Sequence, residues 1–122
     1  MKKHFLVIFL AMILLIPFQS VSAHVLITDD TNTKGAILHI FPDDDPVAGE
    51  VATLYFDAQE QLITNNESVD LTIKSEVGDE FKVTTKFSES LVTADFIFPD
   101  LGVYQITYLV KSGSETYAFN QS

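Results

Sequence analysis

Cysteine is absent from this 122-residue sequence, and arginine is absent as well. Without cysteine the chain has no disulfide, no thiol nucleophile and no thiolate metal ligand, so its fold depends on core packing alone. The two methionines, Met1 and Met12, both lie within the first 23 residues. A methionine-rich site for cuprous copper is therefore excluded from the rest of the chain.

The common catalytic motifs are missing too. The sequence has no G-x-S-x-G elbow, no H-E-x-x-H helix, no P-loop and no dinucleotide-binding fingerprint. After residue 23 the only histidines are His24 and His39, which leaves a hydrolase without enough catalytic groups. We therefore expect that the protein is not an enzyme, and we predict no catalytic residue.

The first 23 residues have the pattern of a cleavable signal peptide. Lys2 and Lys3 precede an apolar run over residues 5–16, and small residues follow at Val21 and Ala23. The alternative is an uncleaved membrane anchor, but spanning a bilayer takes roughly 20 apolar residues and this run is shorter. We predict cleavage after Ala23 and a secreted or extracytoplasmic domain over residues 24–122, with no membrane span after cleavage.

This predicted domain is strongly acidic. It carries five lysines against 17 acidic residues, a formal charge of −12. Such a surface repels nucleic acid and anionic lipid, so we expect neither as a partner. The charge would attract a metal ion or another cation, although solubility alone is the commoner reason for an acidic surface.

Short runs of alternating apolar and polar residues dominate the domain, and a period of two indicates half-buried β-strands. The predicted strands cover residues 24–28, 36–41, 51–58, 69–74, 81–87, 92–98, 104–111 and 115–119. Turn signals such as Gly78-Asp79 separate them, and no stretch has sustained helical periodicity. Seven or eight short strands predict an all-β, immunoglobulin-like antiparallel sandwich.

One local motif supports this fold class. Asp100, Gly102 and Tyr104 form a D-x-G-x-Y pattern, which is typical of the tyrosine corner of immunoglobulin-like sandwiches. There the tyrosine is buried and its hydroxyl bonds to backbone where the chain passes between sheets. The alternative is an ordinary glycine turn before a strand. Ile106 stands two residues later, where antibody domains often have a disulfide cysteine.

Two histidines are candidate metal ligands. Cleavage would make His24 the first residue, so that its α-amine and imidazole could chelate one ion, and such nitrogen ligands suit cupric copper. His39 lies in a predicted strand. If residues 24–28 pair antiparallel with 36–41, His24 lies beside His39 or Ile40. In the alternative topology, residues 24–28 join the other sheet and the two histidines are separated.

A third candidate follows the His39 strand directly. Asp43, Asp44 and Asp45 stand between two prolines, and these carboxylates could supply one oxygen ligand to copper or several to calcium. The segment lacks the spacing of an EF-hand loop. A solvated turn that protects the end of a strand explains it equally well.

The chain resembles the small exported immunoglobulin-like domains of the copper-resistance C-like and YtkA-like bacterial proteins. The resemblance lies in Ala23-His24, in residues 46–50 before an apolar strand, and in residues 98–104. It implies a cupric site built on the N-terminal histidine and a later Asp-x-His motif. That motif is absent here: the corresponding strand has Asp95 but no histidine, so His39 would have to substitute.

Two hypotheses follow. The first is a copper(II)-binding protein that uses His24, His39 and a carboxylate from Asp43, Asp44 or Asp45. The second is a metal-free interaction module that recognises an unidentified extracytoplasmic protein. An oxidative polysaccharide-cleaving enzyme, which also uses a terminal histidine, ranks last because the domain is too small for the usual broad aromatic binding face.

Overall fold

The computed structural model describes residues 25–65 and 68–122, so the predicted signal peptide and His24 lie outside the described residues. A single-turn 3-10 helix, Gln59–Gln61, follows the third strand. The nine strands are β1 (Val25–Thr28), β2 (Gly35–Phe41), β3 (Val51–Ala58), β4 (Val69–Ser75), β5 (Glu80–Val83), β6 (Lys86–Ser88), β7 (Leu91–Ile97), β8 (Tyr104–Ser112) and β9 (Glu115–Gln121).

The strands form two antiparallel sheets. The five-stranded sheet has the order β1-β2-β3-β7-β6, and the four-stranded sheet has the order β5-β4-β8-β9. The predicted all-β sandwich is confirmed, with nine strands rather than seven or eight. Over the described ranges, no helix is long and apolar enough to cross a bilayer.

The prediction of one continuous strand over residues 81–87 was wrong. The segment is divided into β5, in the four-stranded sheet, and β6, in the five-stranded sheet, with Thr84 and Thr85 between them. Phe81, Val83 and Phe87 nevertheless all remain half-buried. Alternation indicates only which side chains point towards the core. Because both sheets enclose the same core, the alternation continues unchanged when the chain passes from one sheet to the other.

The core consists of the inward side chains of both sheets. At its centre Phe56 of β3 stacks on Tyr108 of β8, with ring centroids 4.0 Å apart, and meets the edge of Phe119 of β9 at 5.3 Å. All three side chains are fully buried. Burying a large apolar side chain stabilises a fold by roughly 1.5–3 kcal/mol, and this packing replaces the crosslinks that a cysteine-free chain lacks.

Asp29 organises the loop that joins β1 to β2. Its buried carboxylate accepts hydrogen bonds from the backbone N–H groups of Thr33 at 2.8 Å, Lys34 at 2.7 Å and Thr31 at 3.1 Å, and from the Thr31 hydroxyl. Burial alone would raise the pKa of this carboxyl, but the hydrogen bonds outweigh it and lower the pKa to about 2. The next residue, Asp30, donates its N–H to Ala118 O of β9 at 2.9 Å, so this loop also connects the two sheets.

The tyrosine corner lies where the chain passes from β7 to β8, between the two sheets. The Tyr104 hydroxyl donates to the backbone oxygen of Asp100 at 2.9 Å and accepts from the Asp100 N–H at 3.2 Å. The predicted bond to backbone is confirmed. The side chain is half-buried rather than buried, because part of its surface lines an open pocket.

Candidate functional site

His39 projects from the outer face of the five-stranded sheet. Its neighbour Leu38 faces the core and is 1% exposed, so alternation directs His39 away from the core. On the adjacent strand β3 it lies opposite Tyr55, and the two ring centroids are 6.1 Å apart. The side chain keeps 22% of its surface exposed. A ligand approaching this face from solvent can therefore reach the ring.

The acidic segment after β2 folds back onto the strand through its middle aspartate. Asp44 donates its backbone N–H to Ile40 O at 2.7 Å, and its Oδ1 accepts the Ile40 N–H at 2.6 Å. The same Oδ1 lies 2.8 Å from Nδ1 of His39. Asp43 and Asp44 both have a φ of +55°, and aspartate tolerates this left-handed conformation better than most residues.

This geometry separates the three candidate carboxylates. Asp44 is partly buried and contacts His39, whereas Asp43 and Asp45 are exposed. The sequence predicted a carboxylate near His39 without selecting one of the three. Two successive residues with positive φ form a tight turn that brings Asp44, and not Asp43 or Asp45, against His39. The spacing of these residues in the sequence does not reveal this turn.

Of the two topologies that the sequence left open, the described residues adopt the one in which the first two strands pair. Val25 lies opposite Leu38 and Thr28 opposite Gly35, in one sheet. The alternative, in which this segment joins the other sheet, is wrong for Val25–Thr28. His24 lies outside the described residues, so its position relative to His39 stays a prediction.

No metal cluster is complete in the described part of the chain. Across residues 25–65 and 68–122, no three histidine, aspartate or glutamate side chains lie close enough together to hold a metal ion. His39 and Asp44 make a pair, and the predicted third member, His24, is outside these ranges. The copper site therefore stays a prediction.

No protein-family model, curated protein or solved structure matches this chain. The resemblance to copper-resistance C-like and YtkA-like proteins consequently stays a prediction that rests on the quoted residues.

Proposed function

We propose that the exported protein binds cupric copper through the α-amine and imidazole of His24 together with the imidazole of His39. The observation that carries this proposal is the 2.8 Å contact between His39 Nδ1 and Asp44 Oδ1. A metal-ligating histidine almost always donates its other ring N–H to a carboxylate or carbonyl, which fixes the tautomer and the ring orientation. The His39–Asp44 pair is a close nitrogen–oxygen contact that would supply this bond with the proton on Nδ1. Nε2 of His39 would then be the ligating atom, and Asp44 a positioning residue.

The strand register supports the involvement of His24. Val25 pairs with Leu38, and the next pair in the same register would join position 24 to His39. Val25 and Leu38 point inward, so alternation favours the outer face for both histidines. Asp43 and Asp45 remain candidate oxygen ligands, and the acidic surface favours any bound cation.

A metal-free interaction module is the second candidate function. It is favoured by a patch on the outer face of the five-stranded sheet, where Val51 and Ile97 are paired and Phe41 lies beside the same end of β3, all three at least half exposed. Contiguous exposed apolar surface is typical of sites that contact another macromolecule. This candidate predicts a protein partner and no tight metal binding.

Two measurements separate these candidates. Intact-mass analysis of the secreted protein should show the loss of residues 1–23, because a start elsewhere removes the free amine of His24. Cupric titration of the processed protein should then show tight binding that His24→Ala and His39→Ala both weaken. A matched control with one extra residue before His24 keeps both imidazoles but converts the amine to an amide, and it should also bind weakly. Absence of tight binding in the processed wild type would favour the interaction module.

A further inference from the structure

A cavity of about 330 Å³ lies between the two sheets, near the C-terminal end of β2 and the N-terminal end of β8. Leu38, Phe98 and Ile106, each at most 5% exposed, form its floor. The half-buried side chains of Val25, Ile40 and Tyr104 form its accessible apolar walls. This volume is at the lower end of the roughly 300–1,000 Å³ typical of small-molecule sites. The cavity can therefore accept the apolar part of a small ligand.

Three aspartate side chains border the same cavity. Asp44 and Asp45 come from the segment after β2, and Asp100 comes from the tyrosine-corner loop. Asp45 and Asp100 are exposed, whereas Asp44 is partly buried and bonded to β2. The described lining residues include no lysine, so no positive side chain among them neutralises this end of the cavity.

We propose that this cavity binds a small organic cation, with an aliphatic or aromatic body between the sheets and an ammonium group at Asp45 and Asp100. Contact between the apolar walls and a hydrocarbon chain is favourable because it removes apolar surface from water. The same walls offer an inorganic ion no ligand to replace its hydration shell. The carboxylates compensate the positive charge of an ammonium group and repel a carboxylate or phosphate. Charge complementarity thus selects the ligand class.

Ligand binding in the cavity does not require the proposed copper site. His39 lies on the outer face of the five-stranded sheet, whereas Leu38 and Ile40 line the cavity on the inner face of the same strand. Asp44 is the residue shared by the two sites. Binding to the cavity is therefore measured with metal-free protein in the presence of a chelator, so that failure of one proposal leaves the other unaffected.

The ligand class is tested with three probes that share one hydrocarbon chain. Hexylammonium, hexanol and hexanoate are titrated into the protein at low salt and followed by calorimetry or by NMR shifts of Ile106. Hexylammonium should bind roughly five-fold or more tightly than hexanol, and hexanoate should bind least, because each exposed ion pair contributes up to about a five-fold change in affinity. Added salt should reduce the difference. Equal binding of hexanol, or no binding of hexylammonium, overturns the proposal.

Variants then locate the binding site. Asp45→Asn and Asp100→Asn should each weaken hexylammonium binding by roughly two- to five-fold, while hexanol binding stays unchanged. Glu80→Gln, on β5 and away from the lining residues, is the matched control and should behave like wild type. Ala48→Phe should fill the cavity and abolish binding of both probes, with thermal unfolding confirming that this variant is folded. Unchanged hexylammonium binding in folded Ala48→Phe would overturn the assignment to this cavity.

Discussion

The ring of Tyr108 lies parallel to the ring of Phe56, with an interplanar angle of 8° and the centroids 4.0 Å apart. Tyr108 belongs to the four-stranded sheet and Phe56 to the five-stranded sheet, so this stack joins the two layers at the centre of the core. The Tyr108 hydroxyl is buried and has no hydrogen-bond partner among the described residues. Burial raises the pKa of this hydroxyl, which keeps it neutral within the core.

Tyr108→Phe should stabilise the protein. The substitution keeps the stacked ring and removes an unpaired buried hydroxyl, whose cost is about 1–3 kcal/mol. Urea denaturation should therefore show a higher free energy of unfolding for the variant than for wild type. A clear loss of stability would mean that the hydroxyl makes a bond that the described residues do not account for.

Tyr104→Phe should have the opposite effect. It removes a hydroxyl that both donates to and accepts from the backbone of Asp100. Because the side chain is half-buried, we expect a loss of about 0.5–1.5 kcal/mol, the range for an ordinary intramolecular hydrogen bond. The same urea experiment compares the two variants directly, and an unchanged midpoint for Tyr104→Phe would show that the corner contributes nothing to stability.

Asp29 should make the fold sensitive to acid. Its pKa is about 2 in the folded protein, against about 3.9 in an unfolded chain, so the unfolded state takes up the proton first. Its contribution to stability is complete above about pH 4 and is lost as the pH falls towards about 2. Thermal unfolding across this range should show a declining midpoint for the wild type.

Asp29→Asn should lower the unfolding midpoint at neutral pH and flatten the acid dependence. The asparagine side chain would place an amide N–H₂ against backbone donors that now bond to the carboxylate oxygens. Asp30→Asn is the matched control, because Asp30 is exposed and connects to β9 through its backbone N–H. Equal effects of the two substitutions would contradict the role assigned to Asp29.

Asp44→Asn should weaken cupric binding by roughly 10- to 100-fold, the usual effect of removing a carboxylate that orients a ligating histidine. Asp70→Asn, exposed on β4 of the other sheet and outside the proposed site, is the matched control and should leave the affinity nearly unchanged. Affinity should also fall with acid, because the amine and both imidazoles must lose their protons to bind the metal. Binding that is insensitive to Asp44→Asn would remove Asp44 from the proposed site.

Much of the fold could be predicted from local sequence. Alternation over residues 51–58 placed Phe56 inward, and alternation over 104–111 placed Tyr108 inward, because side-chain direction in a strand follows the backbone period. The D-x-G-x-Y pattern likewise predicted that the Tyr104 hydroxyl bonds to backbone, and Asp100 of the same short segment is the partner.

The tertiary structure decided what depends on contacts between segments. Residues 81–87 are divided between two sheets, and alternation cannot reveal this division because both sheets share one core. The tertiary structure also selected Asp44 from three adjacent carboxylates, through a turn in which backbone and side chain both bond to Ile40. The cavity has the same origin: Leu38, Phe98 and Ile106 are far apart in sequence and become neighbours when the two sheets pack together.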